Sequence, residues 1–586
     1  MENREDNGGS WVGWGWPLAL FLTVFLAFLP GASHAFLFAW DDSFYVSASE
    51  LAPGWANAKY WLSHTTEGLF TPVSMWSLML DRWLFGFNPV GYHLHNHLLH
   101  SLAAVLLYGI ARHLRINPWM AFFLALLWAV HPQRVESVAW VAERRDVLAG
   151  VFGFGSVLLF MRSFDQGRLP WAATAALLLA LDAKPSTVLI PAVMALYALW
   201  RRPKLDSLRH LVPILAAAGA HYIFFYMHCG SVQGTMERFP RLVLVPLHNA
   251  LWYLLTAFVP FELNPLYPRI GHDVRTWLVL AAGGAALLAA GAYLWRLGGN
   301  RRAFLIRAAP FAAAWLCLFL PVSSPVRFND TDYCDRYNYL LSAVAWLALG
   351  AFCDAWARRP TKRRVFAAVA LGAAAIYLFM TWTYLPYWQD CRTLFTRAVE
   401  GVSHPNPRAL VGMGAVGLRE KDPLLLDTAG RLLLELSSQD ATFVLPKELT
   451  RPDLAYNTGL FYVGMGRYYA GRPDEALKPL EILERRFHGD RSTDLYCVDT
   501  YASAFWGTLA ACQLAQGGTQ AALRSLQVQM TCLPPASADA HFCAGMIALL
   551  RNDRPAASAQ WRKTLELSPG HAQALRNLQA LEAGAR

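Results

Sequence analysis

The sequence predicts an all-helical protein: a multispanning membrane domain followed by a soluble α-solenoid. Three observations carry this. Of 586 residues, 55% are hydrophobic and only 16% charged. The apolar residues gather before about residue 385, in runs adequate for tilted helices across a ~30 Å hydrocarbon core. From about 390 onward the chain turns to amphipathic helical patterns without membrane-length runs. The expected domains are therefore 1–388, in the membrane, and 389–586, outside it. The net charge of +10 does not point to nucleic acid, because Lys and Arg stand in short clusters beside apolar runs, where they orient helices.

The runs lie near 17–38, 97–112, 118–130, 147–161, 170–182, 187–200, 210–228, 243–261, 276–295, 303–321, 337–356 and 365–385. The first, "WPLALFLTVFLAFLPGASHAFLF", is long enough to span alone and precedes a charged segment, so it reads as a retained helix and not a cleaved leader. Sidedness follows from the basic clusters: Arg112 with Arg115; Arg162 with Arg168; Arg201, Arg202, Lys204 and Arg209; Arg296, Arg301, Arg302 and Arg307; Arg358, Arg359, Lys362, Arg363 and Arg364. All belong inside by the excess of positive charge in cytoplasmic loops. They share a face only if one run fails to cross. The run 243–261, broken by Pro246, His248 and Asn249, is that run, re-entrant or interfacial, leaving about eleven crossings. Every charged or proline-rich oddity, and the soluble domain, then falls on the outer face.

Ionisable groups beside lipid are costly and must face protein, water or ligand. "HPQRVESVAWVAERRDVLAG" places His131, Glu136, Glu143, Arg144, Arg145 and Asp146 between two spans. Glu136, Trp140 and Glu143 share a helical face, and the arginines can fork onto a phosphate. Asp41 and Asp42 open an outer segment running to about residue 95, expected to carry amphipathic helices on the membrane; either carboxylate can serve as a general base. Lys184, in "DAKPS", is a second phosphate contact or a snorkelling anchor. Asp335, Arg336 and Tyr337 precede another span, Arg336 as a phosphate ligand and Tyr337 as an interface anchor.

"GYHLHNHLLH" aligns His93, His97 and His100, but without HExxH or a spaced carboxylate they read as hydrogen-bonded histidines and not metal ligands. Nine cysteines lack CxxC spacing, which disfavours zinc and dithiol chemistry; Cys497, Cys512, Cys532 and Cys543 read as buried thiols or as one or two disulfides. In the soluble part, Gly545, Ala557, Trp561 and Pro569 follow the small, small, aromatic, proline order of a tetratricopeptide repeat, and Gly464, Ala476 and Leu480 match its offsets. Segments 406–436 and 499–530 are degenerate copies. Such a solenoid holds a protein partner or caps the membrane domain.

In order and spacing, "WDDSFYV", "LFTPVSMWSLMLDRWLFGFNPVGYHLHNHLLH", "HPQRVESVAWVAERRDVLAG", "DAKPSTVLIP", "NPLYP" and "DRYNYL" resemble the bacterial relatives of the transmembrane and tetratricopeptide-containing O-mannosyltransferases. The resemblance covers nearly the whole chain. It implies a GT-C fold and an inverting glycosyltransferase in a bacterial inner membrane, using a polyprenyl-phosphate-linked sugar on the outer face. It makes Asp41 or Asp42 the base, and Glu136 and Asp146 members of a second acidic motif with Arg144 or Arg145. The acceptor, protein or envelope glycan, does not follow. No cofactor is required; Glu136 and the first-loop acids offer a place for a divalent metal. A non-catalytic scaffold and a lipid-linked sugar flippase are the rival readings.

Overall fold

The computed structural model describes residues 10–66, 68–229, 235–236, 239, 241–270, 274–296, 301–324, 326–327, 331–357, 359–402, 404–438, 452–486 and 498–584. Arg358 and Cys497 lie outside them. The described chain is helical but for a two-residue antiparallel ladder, β1 (Thr235–Met236) with β2 (Val326–Arg327), and one isolated bridge between Thr66 and Leu69. It divides into two compact units, Met1–Glu400 and Gly401–Arg586.

In the first unit the helices are α1 (Ser10–Phe28), α2 (Asp42–Val46), α3 (Trp55–Tyr60), α4 (Pro72–Phe85), α5 (Pro89–His113), α6 (Pro118–Ala129), α7 (Arg134–Ala139) and α8 (Arg144–Asp165). There follow α9 (Trp171–Ala183), α10 (Ile190–Arg201), α11 (Val212–Cys229), α12 (Arg241–Thr256) and α13 (Val274–Arg296). The unit closes with α14 (Arg301–Phe319), α15 (Asn338–Trp356), α16 (Pro360–Tyr384) and α17 (Cys391–Val399). Prolines open α4, α5, α6 and α16, where the missing N–H costs nothing, and Asn88 caps α5 by accepting from the Val90 N–H at 3.2 Å.

Each expected run contains a helix. By length and composition Gly15–Ser33, Val141–Asp165, Leu205–Met227, Leu305–Val322 and Pro360–Trp388 are long and apolar enough to cross a membrane; Pro118–Ala129 and Trp171–Ala183 are shorter apolar helices. The chain is thus an integral membrane protein. α12, like α5, α10 and α15, is in neither group; Pro246 lies inside it, and its Asn249 donates to the carbonyls of Ser323 and Asp332, at 3.3 and 2.8 Å. The first run is helical for less of its length than expected. α1 stops at Phe28 and a 3-10 turn, Leu29–Ser33, takes over at Pro30, which cannot donate to a helical ladder. The chain beyond leads Leu37 to Asp42, whose Oδ2 accepts the Leu37 N–H at 2.7 Å.

α8 organises the unit: α5, α9 and α10 pack against it, while α6 packs on α15 and α16. Gly150 permits one close approach, since a Cβ there would stand 2.6 Å from the Tyr339 ring. α5 and α8 run in the same direction, Asn96 meeting Arg144 near their starts and His113 meeting Asp165 at their ends. Over its 22 residues α8 rises about 33 Å. The charges of "ERRD" and the basic residues Arg162 and Arg201 therefore stand at opposite ends of it.

The second unit holds α18 (Pro407–Glu420), α19 (Pro423–Ser438), α20 (Pro452–Tyr469), α21 (Pro473–Arg486), α22 (Val498–Ala515), α23 (Thr519–Thr531), α24 (Ala538–Leu550), α25 (Arg554–Leu567) and α26 (Ala572–Ala583). Each packs on its neighbour in sequence. The small residues singled out above are at the contacts: a Cβ on Gly545 would meet the Trp561 indole at 2.4 Å, and one on Gly464 would meet Leu480 at 2.4 Å. Ala476, Ala557 and Trp561 are fully buried. Cys512, Cys532 and Cys543 are free thiols.

Candidate active site

Four chain segments converge at the start of α8. They are the segment after α1, the turn from α7 into α8, the turn after α9, and the 3-10 turn Asp335–Tyr337 that opens α15. Lys184 has extended backbone between α9 and Pro185, which ends the helix and turns the side chain back toward Asp146.

Glu143 is at the centre. Its Oε1 accepts from Arg145 Nη2 at 2.5 Å and lies 3.3 Å from Arg336 Nε, and its Oε2 lies 3.5 Å from Lys184 Nζ. Lys184 also pairs with Asp146, whose other oxygen accepts from Ser137 at 3.0 Å. Arg336 pairs with Glu136, which accepts the Arg336 backbone N–H as well, at 2.9 Å. Arg145 reaches the Tyr45 hydroxyl at 2.8 Å. Tyr337 is half-buried, its ring 5.8 Å from Lys184 Nζ and 5.3 Å from the Arg336 guanidinium. Three carboxylates and three cations thus interlock, their formal charges cancelling.

Asp42 is buried and both its oxygens accept backbone N–H groups, Leu37 at 2.7 Å and Ala142 at 2.8 Å. Burial pushes its pKa up to about 7 against the pull of those donors. It ties the segment after α1 to the turn that carries Glu143. Asp41, the residue before it, is only partly buried. Burial also raises Glu136, opposed by Arg336, and raises Asp335, with the Glu136 charge adding to the effect. Asp335 Oδ1 is held by Gln133 and Tyr267, each at 3.0 Å, while its Oδ2 is buried with no hydrogen-bond partner.

Two expected site residues point elsewhere. Arg144, one residue from Arg145, turns into the packing between α4 and α5. There it pairs with Asp81, donates to Asn96 at 2.8 Å and to the Tyr92 carbonyl at 2.7 Å, and is fully buried. His131 accepts from the Gln133 N–H at 3.3 Å and stacks edge-on against Tyr377 at 4.6 Å. Sequence reasoning missed Tyr45, Ser137, Gln133, Tyr267 and Asp81. Asp81 had a signal, an isolated carboxylate within an apolar helix. Among the described residues no three His, Cys, Asp or Glu side chains converge as a metal-holding group.

A small pocket of about 20 Å³ opens at Asp146, Lys184, Arg336 and Tyr337. Its walls include Leu318 and Leu340, which also wall an almost wholly apolar cavity of about 110 Å³ between α8, α10, α14 and α15. A charged pocket therefore opens beside a greasy cleft.

No family model matches the chain. Over 104 residues, 18% of this chain and 11% of the relative, it is 38% identical to protein O-mannosyl-transferase TMTC1 of Mus musculus. Over that stretch the chain is similar to the TMTC O-mannosyltransferases. It is also 32% identical over 118 residues to TMTC4 of Homo sapiens, covering 18% of this chain and 16% of that one. With Tmtc2 of Drosophila melanogaster it shares 35% identity over 98 residues, 17% of this chain and 10% of the relative. The matched stretches are thus a minor part of each relative's length. Among solved structures, ArnT from Cupriavidus metallidurans bound to undecaprenyl phosphate aligns over 81% of each chain, with 16% identity and a TM-score of 0.36.

Proposed function

We propose that the protein is a GT-C-type glycosyltransferase that moves a sugar from a polyprenyl phosphate to an acceptor hydroxyl on the outer face of the membrane. The observation that carries this is the shared wall. A pocket with Lys184 and Arg336 suits a phosphate, and the apolar cavity beside it, sharing Leu318 and Leu340, suits the isoprenoid tail of the same molecule. The relatives named O-mannosyl-transferases support the reaction class.

In this reading Asp41 is the base. Asp42 has both oxygens engaged by backbone donors and acts as an anchor, whereas Asp41 is beside it and partly open to solvent. Asp41 takes the acceptor proton, the acceptor oxygen attacks the anomeric carbon, and the polyprenyl phosphate departs with the bonding electron pair. Arg145, Lys184 and Arg336 receive its charge. A single displacement inverts the anomeric centre. These three cations serve the role a divalent metal fills in other phosphate chemistry, so none is required. The second unit, with its tetratricopeptide-like packing, holds a polypeptide acceptor or partner.

The test is turnover. Purified protein in nanodiscs, given a panel of polyprenyl-phosphate sugars and an envelope extract, should release free polyprenyl phosphate, and Asp41→Asn should not. Transport of the donor with its glycosyl bond intact would favour a flippase; binding of extract proteins without turnover of any donor would favour a scaffold.

A further inference from the structure

Glu143 is the only carboxylate among the described residues that touches all three cations of the network, two of which, Lys184 and Arg336, line the pocket. The three come from separate elements: Arg145 from the first turn of α8, Lys184 from the turn after α9, and Arg336 from the turn before α15. Glu136 and Asp146 each pair with one cation only, Arg336 and Lys184 respectively. The Glu143 side chain is 2% exposed, so its charge is held wholly by this trio. A phosphate group entering the pocket would meet two of the same donors, Lys184 and Arg336, and the third, Arg145, once Glu143 moves aside. With three carboxylates already balancing three cations, it would find no surplus positive charge unless one carboxylate let go.

We propose that Glu143 is a placeholder for the lipid phosphate: its carboxylate occupies the phosphate position in the empty enzyme and is displaced when the donor binds. This rests on the donor reading above and adds a specificity element to it. The placeholder keeps three buried cations paired between turnovers. It also sets a threshold, since an anion must offer at least the contacts that Glu143 gives up. A monophosphate with several acceptor oxygens does so; a neutral lipid or a single hydroxyl does not. Release of product is helped in the same way, by the carboxylate returning to its partners.

The experiment is binding of undecaprenyl phosphate to the full chain in nanodiscs, wild type against Glu143→Gln, with Glu136→Gln alongside. Removing the competing charge should tighten binding about tenfold in Glu143→Gln, with a correspondingly larger ligand-induced rise in melting temperature. Glu136→Gln, which releases Arg336 alone and does not vacate the shared position, should gain clearly less than Glu143→Gln. Wild-type binding with equal or weaker binding by Glu143→Gln overturns the placeholder and leaves the donor reading standing. Absence of binding by both proteins overturns the donor reading and the placeholder with it. Should Glu143→Gln fail to fold, the wild type still decides the matter. Carbodiimide labelling of Glu143, read by mass spectrometry, should rise severalfold on adding undecaprenyl phosphate, and no change or a fall overturns the proposal.

Discussion

Arg144 and Arg145 are neighbours with opposite fates. Arg144 enters a closed brace in which one carboxylate, one amide and one carbonyl use up its donors inside packed side chains. Arg145 enters an open network, where Glu143 shares cations with two other carboxylates and a pocket adjoins. Both guanidinium groups are buried, so burial of charge does not by itself mark a site. What distinguishes the second region is that its carboxylates and cations can exchange partners and that there is space beside them for a ligand.

The contrast can be broken by substitution, beginning where the largest change is expected. Asp41→Asn should lower donor turnover by roughly 10²–10⁴-fold, the usual worth of a general base, with melting temperature unchanged; turnover within a few-fold of wild type would remove Asp41 from the mechanism. Next come the two arginines. Asp81→Asn or Arg144→Gln leaves a buried partner unpaired and should cost about 3–5 kcal/mol of stability, while the folded fraction retains affinity for polyprenyl phosphate. Arg145→Gln should weaken that affinity instead. Denaturant melts combined with lipid binding separate the two, and a brace variant that folds normally but loses the lipid would reverse the assignment.

A pH series sharpens the anchor role of Asp42. Its pKa is raised in the folded protein from the ordinary 3.8 to about 7, so between those values the folded state binds the extra proton. Stability should then be greatest near pH 4 and fall as pH rises to about 7, levelling off above. Asp335, raised by burial and by the Glu136 charge, adds in the same direction. Asp42→Asn should flatten the profile between pH 4 and 7; a profile unchanged by the substitution would contradict the buried placement. The smallest effect belongs to the far end of α8, where Arg201 pairs with Asp165 at 3.3 Å on a partly exposed surface. Arg201→Ala should cost about 1 kcal/mol or less and leave turnover and lipid affinity intact, as measured by the same melts and assays.

Much of the fold was legible because hydrophobic run length answers to membrane thickness. Each predicted run contains a helix. The first run is a membrane-length segment as expected, Gly15–Ser33, and only its end was misplaced, because Pro30 ends α1 and the continuing apolar letters belong to a chain that leads to Asp42. In the site, Glu136, Glu143, Arg145, Asp146, Lys184, Arg336 and Tyr337 come together across more than 190 positions of sequence because charges between spans have few places to go. The direction of Arg144 was not legible. Adjacent helical residues diverge by about 100°, and which of two arginines joins the network depends on Asp81 in α4, four helices earlier in the chain. Tyr45 was likewise hidden within a quoted motif, since a tyrosine near a membrane surface reads first as an interface anchor.

The central claim is that the charges between the spans hold the phosphate of a lipid whose tail lies in the adjoining cavity. Photo-crosslinking tests it most directly: a polyprenyl phosphate with a diazirine near the phosphate end, irradiated with the full chain in nanodiscs and mapped by mass spectrometry. The account predicts labels on Leu318, Leu340 and their neighbours in α14 and α15, competed by undecaprenyl phosphate and reduced in Arg336→Gln. Labels confined to other helices, or labels at this cleft indifferent to both the competitor and Arg336, would contradict it.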